Sequence, residues 1–391
     1  MRNKKVFTLI FIFAAALFCG ADGVSGTGGR GASKASAAEN KLTVHYVDVG
    51  QGDATVIELP DGKAMLIDGG PASGKSKFFT YMENSLSNIS GFDYVILTHS
   101  DEDHCGGLDE IINRFPVRKG GLIYRPNQLS NYKDFDDPAL QKQGVEAFWK
   151  DGGGNDGCDS KYAKNTLAYK RFIEAAYNQK AENVKVIVTD ANSPEEMNIL
   201  RDLNGDGKYD EESEEYLLGF HAPTQAVWKD NNDYSPIISL DYQGRRFLFT
   251  GDCEKDGEKR FADEAGAGKI DFGKKADVIK LGHHGSRTSS SDAFLKAVLP
   301  SESDNPNVLA VISCGAGNSY KHPHKEALDR AAACGVKEEN FLRTDLIGTV
   351  VLEISGEKLE HDAVAAAPVK RKGFALSCTG GRQKELYRLP L

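Results

Sequence analysis

The segment Thr98-His99-Ser100-Asp101-Glu102-Asp103-His104-Cys105-Gly106-Gly107 constrains this chain more than any other. The run before it, Tyr94-Val95-Ile96-Leu97, reads as a buried strand, and Leu108 to Phe115 after it reads as a helix. A loop at the C-terminal end of a strand aims several short side chains at one point. Imidazoles and carboxylates gathered in this way suit a divalent metal such as zinc, manganese or iron. Alternate residues of an extended loop face the same way, so His99, Asp101 and Asp103 share one side while His104 addresses a second position. Two ions a few ångströms apart are then geometrically natural. A solvated acidic turn with incidental histidines is the bland alternative, and the ligand density argues against it.

Three further places repeat this strand-end context. Phe249-Thr250-Gly251-Asp252-Cys253 ends an apolar run in a carboxylate, which is costly to bury unless it is paired or metal-bound; a helix cap or turn residue is the ordinary reading. Lys280-Leu281-Gly282-His283-His284-Gly285-Ser286 offers two histidines, either of them suited to ligation or to general acid work. The hydroxyls of Ser286, Thr288, Ser289 and Ser290 could cradle a phosphate. Asn318-Ser319-Tyr320-Lys321-His322-Pro323-His324 lies between a strand and a helix, and either histidine could close a metal shell; exposed imidazoles at a helix start are the alternative.

The 391 residues fit one large domain or two modest ones, and the 40% hydrophobic content supplies a sizeable core. The net charge is −9, and it becomes −12 without the five basic and two acidic residues of the first 40. That balance argues against an indiscriminate nucleic-acid coat, while leaving room for a local basic groove. Residues 1–40 read as a signal peptide and flexible leader. Arg2, Lys4 and Lys5 precede an apolar run of 13 residues, Val6 to Phe18, too short to span a bilayer comfortably. Cleavage after Ala21 or Ala37 would give a secreted or extracytoplasmic product; Cys19 raises a lipid anchor as the minor alternative, disfavoured by the bulky Phe18 before it. No stable membrane span and no obligate protein partner are expected. Six cysteines follow the leader without a CxxC pair, so a structural zinc knot is disfavoured, and disulfide pairing cannot be read from their spacing.

Residues 41–360 read as one domain carrying the metal motifs and residues 361–391 as a loose tail. Strands are expected within 41–58, at 63–67 after the turn Pro60-Asp61-Gly62, and at 237–242, 246–250, 277–281, 308–313 and 349–354; helices are expected at 77–87 and 325–334. Two strand-rich halves with interspersed helices predict two packed sheets with helices outside. Residues 116–215 are polar and read as an insertion with one helical piece near 165–179. Within it, Asp202-Leu203-Asn204-Gly205-Asp206-Gly207-Lys208-Tyr209-Asp210 has the opening of a calcium loop, with ligands at Asp202, Asn204, Asp206, Lys208 (through its carbonyl) and Asp210. Ser213 stands at position twelve, flanked by Glu212 and Glu214, where an acid is expected. A polar Asn-Gly and Asp-Gly turn is the plain alternative.

The run from about residue 42 to 355 resembles the metallo-β-lactamase fold, and more narrowly the hydrolase domain of bacterial competence DNA-uptake channel proteins. The matching stretches, in order, are HYVDVGQGDATVIELPDGKAMLIDGG, VILTHSDEDHCGGL, NDYSPIISLDYQGRRFLFTGD, DVIKLGHHGS, NSYKHPH and LRTDLIGTVVLEI. The resemblance implies an α/β fold, a four-layer αββα sandwich. It implies metal ligation by His99, Asp101, Asp103, His104 and Asp252, with the rest of the shell from His283 or His284 and the His322 loop. Asp101 stands where the wider superfamily has a second histidine, as in competence-type members. Asp68 would support the metal loop from behind, with Asp48, Gln51 and Asp53 beside the site. The third-motif histidine has no clear match; His221 lies near its place.

The expected function is an exported metal-dependent phosphodiesterase or nuclease using zinc or manganese, one or two ions, with calcium as a structural extra. Asp103, His283 and His284 are the catalytic candidates, and DNA or RNA is the first-choice substrate by resemblance. Lys280, Arg287 and Lys321 lie near the motifs as cations for a phosphate backbone. Alternatives are a small-molecule or cell-wall phosphoesterase, such as a choline phosphoesterase, and a calcium-stabilised surface binding module with an inactive metal site. A β-lactamase is disfavoured by Asp101.

Overall fold

The structure, a computed structural model, describes residues 41–126, 167–189, 197–221, 228, 230–270, 272–301, 307–355, 375–379 and 386–387. The leader with Cys19, the glycine-rich run 151–157 and Cys158 lie outside the described residues.

Two sheets face each other. The first has the spatial order β16 (Leu386–Tyr387), β15 (Ala375–Thr379), β14 (Thr349–Ser355), β1 (Lys41–Tyr46), β2 (Thr55–Glu58), β3 (Ala64–Ile67), β4 (Phe92–Ile96), β5 (Val117–Arg125) and β6 (Lys185–Val188). The second runs β13 (Phe341–Arg343), β12 (Leu309–Ile312), β11 (Val278–Lys280), β10 (Arg245–Phe249), β9 (Ile238–Tyr242), β8 (Tyr216–Phe220) and β7 (Ile199–Leu200). Period-two alternation sorts the side chains: Tyr94 and Ile96 of β4 enter the core between the sheets, whereas Val95 and Leu97 face helices. The first sheet's other face is covered by α1 (Lys75–Ser85), α3 (Leu108–Arg114) and α4 (Leu167–Tyr177), while α2 (Glu102–Cys105) is a single turn in the loop after β4. The second sheet's outer face is covered by α5 (Lys255–Gly266), α6 (Asp292–Val298) and α7 (Lys325–Ala333); the short α8 (Thr344–Ile347) leads into β14. The result is the αββα layering of the metallo-β-lactamase fold.

The hairpin around Pro60-Asp61-Gly62 forms as expected, with Glu58 opposite Ala64. Two segments differ from the sequence reading. Within the stretch read as an insertion, 117–125 and 185–188 are parallel strands of the first sheet and 167–177 packs on α3, because Ile123, Tyr124, Phe172 and Ile173 bury apolar surface that outweighs the polar surroundings. Within the stretch read as a loose tail, 375–379 pair antiparallel with β14 and cover its edge.

The pairings β3–β4, β10–β11 and β11–β12 are parallel, so their C-terminal ends lie on one side of their sheets. Asp68, the 98–104 loop, Asp252, His283 and His284, and Ser313 all follow those ends. The chain thereby delivers residues over two hundred positions apart to one place.

Candidate metal centre

His104 and His284 are fully buried with their Nε2 atoms 3.3 Å apart. Behind His104, Nδ1–H donates to Asp68 Oδ2 at 2.8 Å; Asp68 is itself held by the backbone N–H and hydroxyl of Thr98, each at 2.8 Å. Behind His284, Nδ1–H donates to the carbonyl of Ser313 at 2.9 Å, with Asp53 Oδ1 at 3.2 Å. Each ring is thus fixed from its Nδ1 side and presents Nε2 forward, the arrangement of a carboxylate- or carbonyl-oriented metal ligand. In front, Asp252 Oδ2 lies 3.2 Å from both Nε2 atoms, and Asp103 Oδ2 lies 3.1 Å from that of His284.

The charge pattern also calls for a cation. Burial opposes charge on His104 and His284, yet Asp252 with Asp68 or Asp53 outweighs it and raises both imidazoles well above their usual range. Burial pushes Asp103 up, but the hydrogen bond from His284 and the charge of His104 hold it below the usual carboxylate range. The acceptors Asp252 Oδ2 and Asp103 Oδ2 in front of the two Nε2 atoms favour positive charge at that point. A divalent ion would supply that charge.

His99 contributes a second, independent sign. It is fully buried, its Nδ1 meets the hydroxyls of Thr98 and Ser235 at 3.1 and 3.2 Å, and its Nε2 has no hydrogen-bond partner. That nitrogen is 3.9 Å from Asp101 Oδ2, and burial together with His104 pushes the ring down to about 3, leaving a neutral imidazole suited to ligation. Asp101 Oδ1 accepts from Asn231 at 3.2 Å. Among the described residues, Asp53, His104, Asp252 and His284 form the group whose donor atoms could hold one ion, all within 4.8 Å of one another; Asp103 approaches it through His284, and His99 and Asp101 lie beside it.

The backbone around these groups is specialised. Asp68, His283 and His284 have φ of 58°, 50° and 54°, the left-handed region that side chains other than glycine avoid. Gly251, at φ 49°, is required twice over, because a Cβ there would stand 2.8 Å from Ser235 Oγ and 2.9 Å from Thr98 Cβ. Ser235 Oγ also accepts the backbone N–H of Asp252 at 3.1 Å, so this contact sets the carboxylate's direction.

His283 and His284 separate cleanly. His283 has a side chain 24% exposed, donates from Nδ1 to Glu254 Oε1 at 2.9 Å, and keeps Nε2 3.7 Å from Asp252 Oδ2. His322 lies outside the cluster, its ring centroid 5.4 Å from that of His283 and its Nδ1 3.5 Å from Gln51 Nε2. His324 accepts the backbone N–H of Arg287 at 3.1 Å. His221 donates to or accepts from Ser239 Oγ at 2.9 Å and packs edge-on against Phe261 and Phe272, in the helical face of the second sheet. Asp48 caps the Gly50 N–H at 3.0 Å and pairs with Lys77.

Two residues carry more than the sequence suggested. Asp53, read as lying beside the site, has an oxygen within 4.8 Å of donor atoms of His104, Asp252 and His284, and it meets the two imidazoles from their Nδ1 sides. Lys280 was expected to face a substrate backbone; it is 3% exposed and paired with Asp53. Its place before Gly282-His283-His284 hinted at proximity, but nothing local distinguishes a buried ammonium from a solvated one.

The loop at Asp202–Asp210 has carboxylates that accept backbone N–H groups: Asp202 those of Gly205 and Gly207 at 2.6 and 2.8 Å, and Asp206 that of Lys208 at 2.8 Å. Buried Glu215, rather than Ser213, closes it, accepting from Leu203 and Asp210 at 2.8 and 2.9 Å. Cys105, Cys253, Cys314 and Cys334 are not in disulfides. Among the described residues no helix is long and apolar enough to cross a membrane.

Residues 47–146 match the family described as the metallo-beta-lactamase superfamily. The chain is 24% identical over 322 residues to ComE operon protein 3 of Bacillus subtilis (strain 168), covering 78% of this chain and 32% of that protein. It is 38% identical over 131 residues to competence protein ComA of Neisseria gonorrhoeae, covering 34% of this chain and 17% of that protein. The chain thus spans a third or less of the length of these curated relatives. Among solved structures it is similar to the metallo-beta-lactamase fold protein YhfI from Bacillus subtilis, at 14% identity and a TM-score of 0.36, covering 80% of this chain and 99% of that one.

Proposed function

We propose that this chain, which carries a metallo-β-lactamase superfamily domain similar to part of the competence proteins, is a metal-dependent phosphodiesterase with nucleic acid as its first-choice substrate. The observation that carries the reading is the convergence of His104 Nε2, His284 Nε2, Asp103 Oδ2 and Asp252 Oδ2, with contacts of 3.1 to 3.3 Å among them. These four residues would hold one divalent ion, and His99 and Asp101 would serve a second that shares Asp252. Such an ion supplies Lewis acidity and lowers the pKa of water so that a nucleophile is available near neutral pH. The oxygen-rich set, with Asp101 in place of an imidazole, suits manganese as well as zinc.

The remaining work falls to the protein. Asp68 and Ser313 hold the two ligand imidazoles in one tautomer. His283 is the proton donor to the leaving oxygen: burial opposes its charge, but Asp252 and Glu254 outweigh it and raise the imidazole, and its Nε2 faces the cluster from a partly open position. Exposed Arg287 and Lys321 flank the His322 loop and are available to a phosphate backbone. Residues 1–40 are proposed to export the chain, and the Asp202–Asp210 loop to take calcium as a structural ion, which a calcium-dependent rise in melting temperature lost in Asp206→Ala would support.

A small or cell-wall phosphoester is the second reading, favoured by the net charge of −9. The test offers purified protein, loaded with manganese or zinc, three substrates: bis-p-nitrophenyl phosphate, single-stranded DNA and nitrocefin. Cleavage of the first two, lost in Asp103→Ala, supports the proposal. Diester cleavage without DNA cleavage moves it to the second reading. No turnover of any substrate leaves a binding module and refutes the enzyme.

A further inference from the structure

Lys280 closes β11 with its ammonium inside the protein, and a buried ammonium is costly unless every proton finds a partner. The partners are specific. Nζ donates to the carbonyl of Gly251 at 2.9 Å, pairs with Asp53, and stands 3.6 Å from Asp252 Oδ1. Asp53 is anchored in turn, its backbone N–H donating to the Asp103 carbonyl at 3.1 Å and its carbonyl accepting from Gly70 at 2.7 Å. Its free oxygen, Oδ1, faces the Nδ1 side of His284 at 3.2 Å. One ammonium therefore binds the carbonyl preceding Asp252 and the carboxylate behind His284, and lies within ion-pair distance, without a hydrogen bond, of the carboxylate in front of the ligand imidazoles.

We infer that Lys280 is a positioning residue of the metal centre: with Asp53 it turns Asp252 so that Oδ2 alone faces His104 and His284, and it fixes His284 from behind. This inference rests on the metal site of the proposed function. It has a distinctive sign. A lysine acting only as a nearby charge would repel a divalent cation, so its removal would tighten binding. A lysine that arranges ligands makes the opposite prediction.

The test uses the full chain as wild type, Lys280→Met, Asp53→Asn and the double variant. Each is stripped with chelator and titrated with manganese by calorimetry, and the absorption spectrum of the cobalt-loaded protein reports ligand geometry. Lys280→Met is expected to bind manganese at least about ten-fold more weakly, in the range found for groups that orient metal ligands, with an altered cobalt spectrum. The double variant is expected to be no weaker than Lys280→Met, since a pair acting as a unit is lost only once. Unchanged or tighter binding by Lys280→Met overturns the inference, as does additive loss in the double variant. If Lys280→Met does not fold, Lys280→Gln and Asp53→Asn carry the same readouts. A wild type that takes up no ion removes the metal site and this inference together; a loaded wild type with unaffected variants removes only this inference.

Discussion

His283 and His284 are adjacent in the chain and opposite in circumstance. One is fully fixed, with Ser313 behind it and Asp103 and Asp252 in front; the other is tethered to Glu254 and partly open. His284→Ala is therefore expected to lose bound metal and activity together, as judged by elemental analysis and diester hydrolysis. His283→Ala is expected to keep its metal stoichiometry and most of its KM while kcat falls by about 10²–10⁴, the usual worth of a positioned general acid. Metal loss in His283→Ala with retention in His284→Ala would reverse the assignment. The loop's candidate ligands stood out in the sequence because four of them fall within six residues after an apolar strand, and His104 is the one that joins Asp53, Asp252 and His284 in the group able to hold an ion. The division between His283 and His284 was not, since a dipeptide gives no hint of which ring a left-handed backbone turns inward. Asp53 and Lys280 were seen only as neighbours of the site, because their pairing joins residues more than two hundred positions apart.

Strand ends and the turns after them do the positioning, and two elements show how. The turn after β10 depends on Gly251, whose place a Cβ would contest with Ser235 and Thr98. Gly251→Ala is expected to cost about 1–3 kcal/mol in chemical denaturation and to lower metal content, because Ser235 contacts both His99 and the N–H of Asp252. The loop after His284 is held from α5: buried Glu258 accepts the backbone N–H groups of Ser290 and Ser291. Burial pushes that carboxyl from 4.5 up to about 7, with the Ser290 and Ser291 N–H groups and Arg330 opposing. The folded protein thus keeps a proton that the unfolded chain gives up, so this contribution to stability is full below pH 4.5 and is lost as pH rises through about 7. The denaturation midpoint of wild type should fall relative to that of Glu258→Gln as pH is raised across this window; a constant difference would contradict it. Strands and helices bordering the site were readable from periodicity, but a carboxylate that caps a distant loop leaves no local signature.

Across the whole molecule, two faced sheets bring the ends of β3, β4, β10, β11 and β12 to one side, and metal should join those halves energetically as well as spatially. Manganese at about a hundred times its dissociation constant is expected to stabilise the fold by about 2.7 kcal/mol, read as a rise in melting temperature that Asp252→Ala abolishes. The sandwich itself was legible, because alternating strands in two groups with helices between them admit few other layers. The extent of the first sheet was not: Ile123 and Tyr124 sit within a polar stretch, and the strand at 375–379 follows a long run of alanine, lysine and arginine. Tertiary pairing, which composition does not report, decided both. The account stands most directly on one titration: bis-p-nitrophenyl phosphate hydrolysis by stripped protein as manganese or zinc is added back. It predicts no turnover without metal, a rise that saturates at one or two equivalents, and none at any metal level in Asp252→Ala. Turnover that persists in chelator, or that Asp252→Ala retains, would contradict it.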